Sequence, residues 1–247
     1  MATLDLSFQR KTLPGPAPEL GADAVHIWRI DFSGPMAARE NVLSREEQSR
    51  ATMMKHEGAR STFHQARTAL RLILAAYTGL VPAALPIVID ARGKPTLDLA
   101  GAPFFNLSHT NTLALAAVSR AAPVGVDVET IRPAPRLDDL AARFFASGET
   151  AALRALPEAQ RLDAFYACWT RKEAFVKAEG SGIANALSAF EVSVAPGEAA
   201  RILSIKGDAA AAQARTLHAF RPAPDAWGAV CVEAASIVAT GFALAAD

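Results

Sequence analysis

The stretch VGVDVE, Val124–Glu129, follows Ala121-Ala122-Pro123 and decides how the rest of the chain is divided. Successive strand side chains face opposite ways, so Val124, Val126 and Val128 share one face while Asp127 and Glu129 share the other. The two acidic α-carbons lie about 6.6 Å apart at the usual strand rise, close enough for both carboxylates to converge on one hard cation such as Mg²⁺. A solvated sheet edge accounts for the same alternation, and these six residues do not choose between the two.

Outward from this strand, the pattern runs twice. The segment to about Leu20 is rich in proline and polar residues and reads as a loosely held lead-in, after which AVHIWRIDF, Ala24–Phe32, alternates as a strand does. Ser44 and Glu47 have capping-box spacing and open a helical pattern from Arg45 to about Ala76, with a weak point at Gly58 and an end at Tyr77-Thr78-Gly79. PIVIDARGKPTL and PFFNLSHTNTLALAAVS read as strands, the second a hairpin turning at Ser108–Asn111 with His109 in the turn. Beyond VGVDVE, helical patterns run from about Leu137 to Leu156 and from Pro157 to Gly180. Strand patterns follow at Phe190–Val194, Arg201–Ile205, Leu217–Phe220 and Gly228–Glu233, and the alanine-rich Ala209–Ala214 reads as a loop or short helix. The repetition predicts an α+β fold of two similar halves, 1–122 and 123–247, with the acidic strand in the second.

A chain of 247 residues, 51% hydrophobic, can bury one large core or two small ones. Basic and acidic residues balance at 25 each, so the overall charge points neither to nucleic acid nor to an anionic membrane. Cys168 and Cys231 stand far apart without metal-ligand spacing, which fits a reducing cytoplasm better than a disulfide framework. The N-terminal residues lack a basic start followed by an apolar run, and later apolar segments are interrupted; no membrane span is expected.

The helical stretch CWTRKEAFVKAEGSG, Cys168–Gly182, carries charge where a core helix should be apolar. Trp169, Glu173 and Lys177 follow at four-residue steps and stack on one face. Phe165, Trp169, Phe175 and Val176 make the helix apolar around much of its circumference, so Arg171–Glu173 and Lys177 belong either at a cleft or in an ordinary surface pair. FFNLSHT offers Asn106, Ser108 and His109 as phosphate donors, or merely a structural turn. Arg92 and Lys94 in ARGKP, and Arg50, Lys55, Arg60, Arg67 and Arg71 along the first long helix, add positive charge of a kind surface helices commonly carry.

In order, RGKP, FNLSH, GVDVE, RFF…GE and WTRKEAFVKAEG resemble the long single-chain 4′-phosphopantetheinyl transferases, over Arg50–Gly182. The resemblance implies a pseudo-twofold α+β monomer with coenzyme A bound between its halves. It implies transfer of the 4′-phosphopantetheine arm to a serine of an apo acyl or peptidyl carrier protein, as in secondary-metabolite synthesis, with release of 3′,5′-ADP. It assigns Mg²⁺ to Asp127, Glu129 and Glu173, with Mn²⁺ sharing the same oxygen coordination. It leaves Glu173 as a metal ligand, as the base, or as both, and has Lys177 meet the pyrophosphate; with Asp127 these make the implied catalytic set. Asn106, Ser108 and His109 would hold the coenzyme phosphates, with Arg50 and His109 near the 3′-phosphate, Arg92, Gly93 and Lys94 along the adenine and ribose, and Arg60 as a further contact. The family often places two basic residues one turn apart for the 3′-phosphate where this chain has Glu47 and Arg50, which implies fewer charges there. The carrier would dock on RPAPRLDDLAARFFASGE through Phe144 and Phe145, steered by Arg132, Arg136 and Arg143. A Mg²⁺-dependent nucleotide pyrophosphatase and a catalytically idle carrier-binding module are the competing readings.

Overall fold

Every side chain of Leu113–Ser119 is buried, as are those of Val124–Val128, so both strands are covered on both faces, and the layering follows from that. The protein is described by a computed structural model covering residues 3–32, 42–180 and 187–245. In chain order the strands of its first part are β1 (Phe8–Lys11), β2 (Ala24–Asp31), β3 (Ile87–Ile89), β4 (Pro95–Leu97), β5 (Phe104–His109) and β6 (Leu113–Ser119), with helices α1 (Arg45–Thr52) and α2 (Glu57–Thr78) after β2. Then come β7 (Val124–Thr130), α3 (Leu137–Phe144), α4 (Ser147–Ala155), α5 (Glu158–Glu179), β8 (Phe190–Val192), β9 (Ile202–Ile205), α6 (Ala209–Gln213), β10 (Thr216–Ala223), β11 (Ala226–Val232) and β12 (Val238–Leu244).

The fold is α+β. A five-stranded sheet in the order β1-β12-β2-β6-β5 and a three-stranded sheet β10-β11-β7 pack through one apolar cluster, in which Val25, Ile27, Leu115 and Ala117 meet Val124, Val126, Val128 and Val230. The opposite face of the first sheet gathers Trp28, Ala116 and Val118 with Leu70, Ile73 and Leu74 of the 22-residue α2. The opposite face of the second sheet, with Trp227, Ala229 and Cys231, is covered by the 22-residue α5. Period-two alternation therefore sends one set of side chains inward between the sheets and the other set out under a helix. No helix among the described residues is long and apolar enough to cross a membrane.

Local chemistry explains the start of α1 and the end of α5. Ser44 accepts from the Glu47 N–H and Glu47 accepts from the Ser44 N–H, the capping box expected of that spacing. Gly180 takes the left-handed conformation at φ 69° that ends α5, and Ser181 and Gly182 lie outside the described residues. Four expectations change. The long first helix breaks at Met53–His56, not at Gly58, because α1 and α2 are separate helices. His109 ends β5 instead of sitting in the turn, which Thr110 and Thr112 make with their side-chain and backbone hydrogen bonds. The lead-in contains β1, and a further strand, β12, follows Glu233; β12 lies parallel between β1 and β2 in the first sheet.

Gly125 sets how closely α5 approaches β7. A Cβ built there would stand 2.1 Å from the Ala174 carbonyl oxygen and 2.2 Å from the Ala178 amide nitrogen, both backbone atoms that cannot swing aside. Alanine at this position forces helix and strand apart, an overpacking that costs about 3 kcal/mol at the upper end of the usual range. The expected result for Gly125→Ala is a lower urea midpoint with unchanged steepness, measured by tryptophan fluorescence.

Candidate active site

The face of β7 that carries Gly125 also carries Asp127 and Glu129, and α5 returns Glu173 and Lys177 one turn apart. Asp127 and Glu173 are only 3% and 5% exposed. Lys177 Nζ donates to Asp127 Oδ1 at 2.6 Å and to Ser108 Oγ at 2.9 Å. The Ser108 hydroxyl donates to the same Asp127 oxygen at 2.8 Å. Strands β5 and β7 and helix α5 thus converge on one carboxylate. Asn106, two residues earlier on β5, accepts from the Val126 N–H at 2.9 Å and fixes the two strand edges against each other.

Negative charge exceeds what Lys177 can balance. Burial, then repulsion from Asp127, pushes the Glu173 carboxyl up to about 7, with Glu129 adding to the effect and Lys177 opposing it. Glu129 is raised for the same two reasons, opposed by Arg132 and Lys177. Asp127 Oδ2 is buried and has no hydrogen-bond partner among the described residues. As the side chains stand, no three of His, Cys, Asp or Glu among the described residues are grouped to hold a metal ion, and Lys177 occupies Asp127 Oδ1. The donor chemistry nevertheless fits a hard divalent cation: three carboxyls, all oxygen, one with an orphaned buried atom.

Beside this cluster a cavity of about 200 Å³ is lined by Arg50, Phe63, Arg67, Phe105, Asn106 and His109, among others. The Arg50 and Arg67 guanidiniums lie 5.3 and 5.8 Å from the Phe63 ring centre. His109 is held below its ordinary value by partial enclosure and by the charges of Lys177 and Arg67, with Thr110 opposing. Arg67 was no more than one of several helix cations in the sequence. Its signal was the four-residue step from Phe63, which puts both on one face of α2. Glu47, which seemed to dilute the charge near Arg50, caps α1, receives the buried Arg71 Nε at 2.5 Å and lies 3.9 Å from Arg67 Nε. A second cation, Arg67, stands with Arg50 in the cavity lining, its charge partly offset by Glu47.

Other residues are placed differently. Arg60 is exposed on α2 and does not line the cavity. Lys94 Nζ donates to Ala178 O at 2.9 Å and Val124 O at 3.0 Å, and Arg92 Nη1 to Glu179 O at 2.7 Å; Gly93 provides the φ 86° their turn requires. Arg171 and Lys172 are fully buried rather than at the cleft, because internal acceptors meet the Lys172 ammonium and both Arg171 Nη atoms; Arg171 Nε has no hydrogen-bond partner among the described residues. Lys172 Nζ meets both Glu149 oxygens at 2.7 Å and Phe190 O at 2.8 Å; Arg171 holds Ser193 O at 2.7 Å. Phe145, expected on a docking surface, is 4% exposed, stacked on Phe165 inside the core; Phe144 is half-buried, edge-on to Trp169.

An acidic strand and an acid-and-lysine helix thus close on one another beside a dibasic cavity. The chain belongs to the 4′-phosphopantetheinyl transferase family: residues 123–231 match the family model described as the 4′-phosphopantetheinyl transferase superfamily, and a relative matched over most of both chains agrees. That relative, the 4′-phosphopantetheinyl transferase HetI of Nostoc sp., is 39% identical over 203 residues, 79% of this chain and 85% of its own. Sfp of Bacillus subtilis, also named a 4′-phosphopantetheinyl transferase, is 34% identical over 100 residues, 40% of this chain and 43% of its own. AcpT of Salmonella typhimurium, likewise named a 4′-phosphopantetheinyl transferase, is 43% identical over 95 residues, 38% and 49% of the two chains.

The raised Glu173 value fixes the sign of a pH effect. The folded protein keeps a proton that the unfolded chain releases above 4.5, so the stability this residue lends is complete below pH 4.5 and is lost as the pH rises to about 7. In EDTA, wild type should lose on the order of 3 kcal/mol across that window relative to Glu173→Gln, read by urea unfolding at a series of pH values.

Proposed function

We propose that the protein transfers the 4′-phosphopantetheine arm of coenzyme A to a serine of an apo acyl or peptidyl carrier protein, releasing 3′,5′-ADP. The observation that carries this reading is the convergence of Ser108, Asp127, Glu173 and Lys177 beside the cavity of Arg50, Arg67 and His109. The serine hydroxyl attacks the phosphate bonded to the pantetheine arm, and the bond from that phosphate to the 3′,5′-ADP breaks. Glu173, with a carboxyl near neutrality, accepts the serine proton, a task worth about 10²- to 10⁴-fold. Lys177, one-quarter exposed, turns its ammonium to the diphosphate, where charge accumulates.

Asp127, Glu129 and Glu173 would hold Mg²⁺ or Mn²⁺, which when bound neutralises charge on the diphosphate oxygens. Arg50, Arg67 and His109 receive the 3′-phosphate, with Asn106 and Ser108 along the diphosphate; the adenine and ribose lie toward the Arg92–Lys94 turn, after which Pro95 lines the cavity. Arg132, Arg136 and Arg143 are exposed around α3, positioned to steer an acidic carrier despite the neutral total charge. The reading expects a cytoplasmic monomer serving secondary-metabolite synthesis.

Intact-mass spectrometry of apo carrier proteins incubated with coenzyme A and Mg²⁺ tests the reaction. The carrier should gain one phosphopantetheine, and without carrier little 3′,5′-ADP should appear; rapid release without carrier would make the protein a pyrophosphatase. Asp127→Asn should lower kcat by about 10²- to 10³-fold with coenzyme affinity changed far less. For Arg67→Gln, calorimetry should show coenzyme A binding weakened about tenfold and dephospho-coenzyme A binding unchanged, since only the former presents a dianion to the guanidinium.

A further inference from the structure

The RGKP turn does not spend its cations on the cavity. Lys94, half-buried, places its ammonium between two carbonyls 54 residues apart in the chain: Val124 O, where β7 begins, and Ala178 O, where α5 ends. Arg92 takes the next carbonyl, Glu179 O, at 2.7 Å. A Cβ at Gly180 would lie 3.5 Å from Lys94 Cδ and 3.8 Å from Arg92 Cδ, so the helix terminator is seated against both side chains. The Glu179 carboxylate is itself held by Arg215 at 2.6 Å. The carbonyls at a helix end lack intrahelical partners and carry partial negative charge, which cations satisfy. The neighbours of the two clamped residues are the chemistry: Lys177 precedes Ala178, and Asp127 lies three positions beyond Val124 on the same strand.

We propose that Lys94 is a positioning residue: it bridges the β3–β4 turn to the start of β7 and the end of α5, fixing the lengthwise register in which Lys177 meets Asp127 and Glu173 faces the cleft. Gly125 sets the distance between helix and strand; Lys94 sets how far one slides along the other. Arg92 supports it from the outer turn. The ammonium of Lys94 is then not a coenzyme ligand, although its turn borders the cavity. The kinetic arm of this inference rests on the transferase reading; the structural arm does not.

The test uses the full chain as wild type, Lys94→Met, Lys94→Arg and Arg92→Gln. Hydrogen exchange followed by mass spectrometry, with no coenzyme present, should show amides in Ala174–Gly180 and Val124–Asp127 exchanging about tenfold faster in Lys94→Met, with Ile202–Ile205 unchanged. At saturating coenzyme A its kcat should fall about tenfold or more, and Lys94→Arg, which keeps a donor, should recover most of both properties. If Lys94→Met does not fold, Arg92→Gln should still speed exchange at the end of α5. Wild-type exchange in every variant that folds, with the KM for coenzyme A raised and kcat unchanged, would make Lys94 a ligand and overturn the proposal. Absence of transfer by wild type on apo carriers would instead remove the transferase reading and leave the exchange result to judge the clamp.

Discussion

The close approach of α5 to β7 at Gly125 is the constraint on which the rest depends. With no Cβ between them, the helix backbone rests on the strand backbone, and the next outward-facing residue of the strand, Asp127, falls within hydrogen-bond reach of Lys177. A wider spacing would separate two charges that interact strongly only when close and shielded from water. The valines on the other face of the same strand anchor it between the sheets, so the position of the carboxylate is inherited from the core.

The same helix carries two lysine–carboxylate pairs with opposite fates. Lys172–Glu149 is sealed, neither side chain more than 1% exposed, and ties α5 to α4, with Val192 N–H also donating to Glu149. Such a pair is expensive to break, about 3–5 kcal/mol, because either partner alone would be a buried charge. Lys177–Asp127 is alike in distance but a quarter open on the lysine side, and it stands among further carboxyls that its charge does not offset. The first pair holds shape. The second can exchange partners when a phosphate arrives.

Much of this was legible from residue order. Alternation in VGVDVE sorted valines from acids correctly, and the four-residue step brought Glu173 and Lys177 to one place, because strand and helix periods are properties of the backbone. What could not be read was where long side chains end. In the sequence Arg171 and Lys172 are open between cleft and surface, and the resemblance puts Arg92 and Lys94 along the coenzyme, yet their charged ends travel to carbonyls or a carboxylate supplied by distant segments, such as Ser193 O, Glu149 and Ala178 O. Phe145 and Phe144 differ by one helix-end position and by whether the core has room, which depends on Phe165 and Trp169. Strands β1 and β12 escaped notice because each is defined mainly by pairing with the other end of the chain.

That pairing has a consequence for how the molecule is made. The first sheet has β12 in its interior: β1 is bonded to β12 alone, and β12 separates it from β2. A ribosome delivers β1, β2, β5 and β6 long before Val238–Leu244 emerges, so β1 must wait without its β12 partner until the segments from β7 to β11 have been made. The nascent sheet meanwhile has an open slot between β1 and β2, and β12 fills it, joining segments distant in the chain into one sheet.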